Sequence, residues 1–410
     1  MRGREVELDA TNIAHGGISV ARLDGRVVFV ADAIPGERVL ARIVDDSKPR
    51  FWRATTVRVL EPSPHRVPHV WPEADVARDP DERPGGADFG HISLAHQREL
   101  KARVLAEALD RMAGLRREVT VDALPGPADG TGWRTRERLH IDADGRVGPY
   151  AARSRRVVPV ADLPLAVAAV RDLAPLGDRM PGAASVQVLA PSVGDGARLV
   201  IDAQQPTVIR ERVGEREFRV DDTGFWQVHA AAPAALSEAV VGAIDPDAFD
   251  PGAANLDLYG GVGLLAAAVG DRFGPATRIT TVESDARATE HAAENLADWV
   301  GARAVTARVE RWVGGLADAS AAERARLRAA TVVLDPPRSG AGRAVVDAIA
   351  SAGPASVVYV ACDPVALARD AALLAGHGYE LATLRALDLF PGTHHVEAVA
   401  AFRRDGGPGR

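Results

Sequence analysis

The sequence predicts an α/β protein in which a doubly wound, largely parallel sheet follows an N-terminal β-barrel and a mixed α/β middle. Three observations predict it. Residues 1–60 read as short strands separated by turns containing Gly, Pro or Asp. Residues 62–90 are rich in Pro, Gly and charge, the composition of a linker. From about residue 216, apolar strands alternate with Ala-rich helices, the pattern of a parallel sheet with helical crossovers.

At 410 residues the chain is long enough for several domains with real cores. The stretches VELDAT, GISVARLDG, RVVFVADAI, ERVLARIVD and WRATTVRVL give a small closed barrel of the OB type over 1–62, a fold that often binds oligonucleotides or oligosaccharides. Fold alone does not establish that use. A linker over 63–92 leads into a central α/β domain over 93–215. That domain opens with a helix in LAHQRELKARVLAEALDRMAG, where Leu100, Val104, Leu105, Ala108, Leu109 and Met112 share one face and Gly114 stands at the C-cap. Asp144-Gly145 then marks a hairpin turn. The Rossmann-like unit spans 216–410 and ends in a polar tail, DGGPGR, at 405–410.

A single cysteine, Cys362, excludes an internal disulfide, a cysteine-based zinc site and a four-thiolate iron–sulfur cluster. No apolar run approaches the ~20 residues of a membrane span, and the amino terminus is charged. A cytoplasmic location without membrane association is therefore expected. Lysine occurs only at Lys48 and Lys101, consistent with a GC-rich coding bias. The net charge of −7 is no argument for a polyanionic partner, yet seven arginines (134, 136, 138, 146, 153, 155, 156) face only Glu137, Asp142 and Asp144 between 134 and 156. They are a candidate phosphate-contacting surface or simply a solvated face.

The chemistry-bearing motifs lie in the last unit. Asp257-Leu-Tyr259-Gly-Gly261-Val-Gly263 closes a strand and opens a helix, so its glycines can bring backbone N–H groups against a ligand. Gly261-Val-Gly263-Leu-Leu-Ala266 also fits a dinucleotide fingerprint, with Glu283 placed for a ribose hydroxyl. An NAD-dependent dehydrogenase therefore stays open on this motif alone. Asp257 before the turn suits the cationic amino-acid end of S-adenosylmethionine better than a pyrophosphate. Asp335-Pro-Pro-Arg338 fixes a rigid turn holding a carboxylate and a guanidinium at the carboxyl edge of the sheet. Cys362 ends the strand SVVYVA, with Pro364 in the first turn of the next helix, where a thiol pKa can be lowered. His394 and His395 have no second cluster, so no metal is expected.

Together ISVARLDGRVVFVADAIPGERVLARI, DDTGFWQVH, DLYGGVGLLA, VESD, LDPPRSGAG, YVACDPVALARD and DLFPGTHHVE resemble, in order and over nearly the whole chain, the RNA uracil-C5 methyltransferases that carry an N-terminal TRAM domain and use S-adenosylmethionine. The resemblance implies that Cys362 adds to uracil C6 and that Glu397 removes the C5 proton. It implies cofactor contacts at Gln227, Tyr259, Glu283 and Asp335, beside Asp257, Gly261 and Gly263 of the turn itself. Arg338 and Arg369 are expected to support substrate or RNA. The target base must leave its stack, which favours looped or single-stranded RNA. Large-subunit rRNA is the first expectation, the tRNA T-loop the second, and a monomer is expected.

Three departures from the family pattern stand out. Many relatives hold a [4Fe–4S] cluster on four cysteines, whereas Ala87 stands where one would be, so no cluster is expected. Leu264 replaces a frequent Asn, and Asp363 puts a carboxylate beside the thiol, which would raise its pKa. These departures keep open an RNA-binding assembly factor with a decayed catalytic domain. An RNA cytosine-C5 methyltransferase is the nearest enzyme alternative, but that family uses two cysteines.

Overall fold

The computed structural model describes residues 2–194, 196–202 and 205–404; the polar tail at 405–410 lies outside them. The N-terminal strands form one six-stranded sheet in the order Glu5–Asp9, Arg38–Asp45, Phe51–Glu61, Arg26–Ala31, Ile18–Leu23, Asn12–Ala14. Alternation selects its interior: Val28 and Val30, then Val39, Ala41 and Ile43, are fully buried, while Phe29, Leu40 and Arg42 between them are only partly buried. The sheet curls on itself: its two edge strands, Glu5–Asp9 and Asn12–Ala14, follow one another in the chain, and Glu5–Asp9 contacts Ile18–Leu23. Asn12–Ala14 is one strand more than the five expected.

The segment expected as a linker has little regular structure beyond the 3-10 turns Pro72–Ala74 and Pro80–Glu82, but it is tightly packed. Trp71, Phe89 and Ile92 are buried in it. The fully buried Glu37 carboxylate takes Arg66 Nε at 2.6 Å. Buried Arg83 donates to Asp32 and to the carbonyls of Thr56, Val76 and Arg78. These partners explain why so charged a stretch can be fixed against the barrel.

The stretch expected as one central domain from residue 93 divides. Helix Leu94–Ala113, ended by Gly114 at φ +66°, packs on helix Pro364–Gly376, and Val121–Ala123 pairs with Tyr379–Asp388. The physical reason is the helix face itself, since Leu100, Leu105 and Leu109 are buried while Met112, expected on that face, is exposed. The middle keeps the four-stranded antiparallel sheet Arg198–Ile201, Ser185–Leu189, Arg136–Ile141, Val147–Gly148 around Trp133, Leu139, Val186 and Val188. Asp144-Gly145 turns between its last two strands, with Gly145 at φ +78°.

The main sheet has eight strands, ordered Ala302–Thr306, Ile279–Glu283, Asn255–Leu258, Thr331–Leu334, Ser356–Ala361, Glu397–Arg404, Tyr379–Asp388, Val121–Ala123. The first five are parallel, and apolar clusters cover both faces. Glu397–Arg404 departs from the expected parallel run. It is antiparallel to both neighbours because a short return through 389–396 cannot make a crossover. Among the described residues no helix is long and apolar enough to cross a membrane.

Candidate active site

The carboxyl ends of the parallel strands converge on a cleft of about 1030 Å³. Gln227, Tyr259, Gly261, Glu283, Asp335, Arg338, Cys362 and Glu397 all line it. Asp257 and Gly263 do not, and they act from beneath.

At the strand end Leu258, the chain turns through Tyr259 at φ +64°, Gly261 at φ +53° and Gly263 at φ +87°. A left-handed tyrosine is uncommon and is held here by its surroundings. Gly260 belongs to the expected glycine turn but was given no role of its own; a Cβ there would stand 2.0 Å from Thr281 Oγ1 and 2.5 Å from Asp257 Oδ2, so only glycine lets the turn lie on that pair. Gly263 caps helix Leu264–Phe273 against Leu296. Leu264 is buried in the apolar cluster behind the turn and offers the cleft no polar contact. Glu283 holds the turn from the next strand, accepting from Gly261 N–H at 3.2 Å and Asp285 N–H at 2.9 Å.

Beneath the turn, Asp257 is fully buried; Thr281 Oγ1 donates to its Oδ2 at 3.2 Å while its Oδ1 has no partner. Burial, with the nearby Glu283 charge, pushes its carboxyl up to about 7. Asp335 is likewise pushed up to about 7, by burial and then by Asp257. Tyr259 Oη is also buried without a partner. These orphaned polar atoms and a cleft of this size fit a polar, partly cationic ligand beside the turn.

Cys362 follows Ala361 into the same cleft. Burial first, then the charges of Glu397 and Asp335, push its thiol up to about 12, with Arg338 opposing. The expectation that the helix N-terminus activates the thiol needs correction. Asp363 is the N-cap and takes the Val365 and Ala366 N–H groups, so they are engaged by a carboxylate. Asp363 is also turned to His15 Nε2 at 2.8 Å, and the carboxylates that raise the thiol are Glu397 and Asp335 instead. Glu397 opens its strand 5% exposed, and burial raises its carboxyl well above the usual range.

Arg369, expected near substrate, points elsewhere. It bonds Asp370 and Ser339 O, while buried Asp370 also takes Tyr359 Oη at 2.7 Å and Gly342 N–H at 3.1 Å. This network braces the loop that presents Arg338. His394 Nδ1 pairs with Asp88 at 2.6 Å and His395 Nε2 with Arg338 at 3.3 Å. No group of three or more His, Cys, Asp or Glu able to hold a metal occurs among the described residues.

Two further residues were missed. Lys101 is fully buried, its Nζ at 2.5 Å from Asp388 Oδ1 beneath the His394-His395 loop. In a chain that uses arginine almost everywhere, lysine on an apolar helical face was the available signal. His15 reaches the Cys362 edge from the barrel, and no local pattern marks it.

The family description tRNA (uracil-5-)-methyltransferase matches residues 213–404, and that of the TRAM domain matches residues 1–57. An RNA methyltransferase of Streptomyces avermitilis is 38% identical, covering 97% of this chain and 98% of its own. The 23S rRNA (uracil(1939)-C(5))-methyltransferase RlmD of Alkalilimnicola ehrlichii is 31% identical, covering 97% and 96%. Among solved structures, the Pyrococcus abyssi tRNA (uracil-54, C5)-methyltransferase complexed with S-adenosyl-L-homocysteine superimposes with a TM-score of 0.70 at 20% identity, covering 97% of this chain and all of that one. Over its whole length, therefore, from the barrel to the strand that Glu397 opens, the chain belongs to the TRAM-containing RNA (uracil-5)-methyltransferase family.

Proposed function

We propose that this enzyme methylates uracil C5 through a covalent adduct on Cys362, in large-subunit rRNA before tRNA, as a cytoplasmic monomer. The observation that carries this reading is that one thiol and one buried carboxyl, Cys362 and Glu397, open on the same cleft as the glycine turn. Every group the chemistry needs comes from one chain. The thiolate adds to C6, giving an enolate whose C5 is nucleophilic. S-adenosylmethionine, when bound, supplies the sulfonium methyl that C5 takes. Glu397 then removes the C5 proton, and elimination returns the thiolate. Tyr259, Glu283, Gln227 and Asp335 hold the cofactor, with Asp257 supporting the turn from below and Arg338 reaching the substrate side. The rRNA preference is supported by the RlmD relative, which covers this chain almost completely. Mapping 5-methyluridine in rRNA and tRNA from cells lacking the gene tests it: an unmethylated rRNA site supports the preference, and loss confined to tRNA overturns it.

Cofactor binding is expected to depend on pH in a definite direction. Asp257 and Asp335 have folded pKa values raised to about 7, so their contribution to stability is present at low pH and is lost as pH rises through about 7. A ligand ammonium favours the ionised carboxylates. S-adenosylhomocysteine should therefore bind more tightly from about pH 6 to about pH 8, releasing protons, as calorimetry in two buffers of different ionisation enthalpy would read.

The seven arginines of this stretch sort by partner. Arg134, Arg136 and Arg146 pair with Glu137, Glu211 and Asp142, Arg138 donates to Ser185 Oγ at 3.3 Å, and exposed Arg153, Arg155 and Arg156 have no ion pair among the described residues. We place the RNA backbone on these last three. Their triple replacement by Ala should weaken RNA binding by about tenfold or more and lower the salt slope by about one unit per phosphate lost. Calorimetry should show unchanged binding of S-adenosylhomocysteine.

A further inference from the structure

The nucleophile stands between two unlike spaces. On one side is the carboxylate-lined cleft. On the other is a cavity of about 130 Å³ where His15, Lys101, Arg338, His394 and His395 surround Cys362 and Asp363. That volume holds a few water molecules. On the cleft side burial, Glu397 and Asp335 all favour the protonated thiol, and Glu397 is the group assigned to the C5 proton.

His15 arrives from the barrel. Its loop is pressed on the catalytic edge at Gly17, where a Cβ would stand 2.3 Å from His394 Cβ and 2.9 Å from Phe89. His15 Nε2 faces Asp363 Oδ2 at 2.8 Å, so a carboxylate fixes the tautomer with the proton on Nε2. The other ring nitrogen, Nδ1, is left as the basic site, on a side chain 48% open to solvent. Lys101 is committed to Asp388 and His394 to Asp88, while burial and the charges around His395 hold its pKa down to about 3. His15 is thus the cavity's available base, and its hydrogen bond to Asp363 raises its basicity.

We propose that His15 of the TRAM barrel, oriented by Asp363, is a positioning residue that accepts the Cys362 thiol proton through water in this cavity. This rests on Cys362 being the nucleophile. The S–H bond breaks, the proton passes through water to Nδ1, and the sulfur electron pair forms the bond to C6. After Glu397 has taken the C5 proton and the C6–S bond has cleaved, the proton on His15 returns to sulfur. The barrel then does more than grip RNA: it completes the nucleophile.

Because Cys362 is the only cysteine, iodoacetamide alkylation of the whole protein reads this thiol alone. His15→Gln, and independently Asp363→Asn, which keeps the helix cap, should displace the pH profile of alkylation upward. Alkylation near neutral pH should slow by at least about tenfold. Methyl-transfer kcat should fall by about a hundredfold and recover at alkaline pH, with KM for RNA little changed. An unshifted profile in both variants overturns the proposal, and so does a rise in RNA KM alone, the signature of a mere latch. Methyl transfer by Cys362→Ala would instead overturn the nucleophile assignment on which it rests.

Discussion

Cys362→Ala should abolish methyl transfer, by at least about four orders of magnitude in single-turnover rate, while binding S-adenosylhomocysteine as the wild type does. The two expectations separate because of where the residue sits. Cys362 ends the strand Ser356–Ala361 and is only partly buried, so truncation removes one sulfur at the cleft edge and leaves the glycine turn and Glu283 untouched. Without addition to C6, uracil C5 carries too little electron density to attack a sulfonium methyl, and no neighbouring group replaces the thiolate. A tritiated-methyl assay on unmodified RNA measures the loss. RNA containing 5-fluorouridine should give no denaturant-stable adduct with the variant. Substantial transfer by Cys362→Ala would end the covalent mechanism.

The second large effect separates addition from release. Glu397→Gln keeps the shape of the buried side chain but removes the acceptor for the C5 proton, so turnover should fall by about a thousandfold. The same change removes the carboxylate whose charge contributes most to raising the thiol. Addition to C6 should therefore become easier as release fails, and a covalent RNA–protein adduct should accumulate as a gel shift stable in denaturant. The wild-type pH profile carries the same signature. A base must be ionised, and the folded Glu397 carboxyl is raised well above its usual range, so turnover should climb with pH along an acid limb closer to neutrality than an ordinary glutamate gives. Lost turnover with no adduct would move the base elsewhere.

The legible parts of this molecule were those encoded locally. The glycine turn after Leu258, the rigid Asp335-Pro-Pro turn and Cys362 at a strand end each carry their geometry in a few adjacent residues. What escaped was set by partners far apart in the chain. The close approach that demands glycine at 260 needs Thr281 and Asp257 beneath it, Lys101 needs Asp388, and His15 needs Asp363, 348 positions away. Arg369 looked functional because it follows the cysteine motif, but its direction depends on Asp370 and Ser339 O. The thiol's environment was misread for the same reason, since sequence put Asp363 beside it while the fold brings up Glu397 and Asp335.

The docking of Leu94–Ala113 and Val121–Ala123 on the main sheet decides where this gene can be trimmed or fused. A fragment beginning at residue 216 would lack the eighth strand and leave Asp388, 1% exposed, without the Lys101 ammonium. An uncompensated buried charge of that kind costs about 3–5 kcal/mol, comparable to the whole margin of a small domain. Any catalytic core must therefore include Leu94–Ala113 and carries the middle sheet with it as an insertion. The barrel is fastened to the same core, because Ile13 and Ile34 share one buried apolar cluster with Phe89, Ile92 and Leu100, so cutting it away would uncover that cluster and remove His15 together.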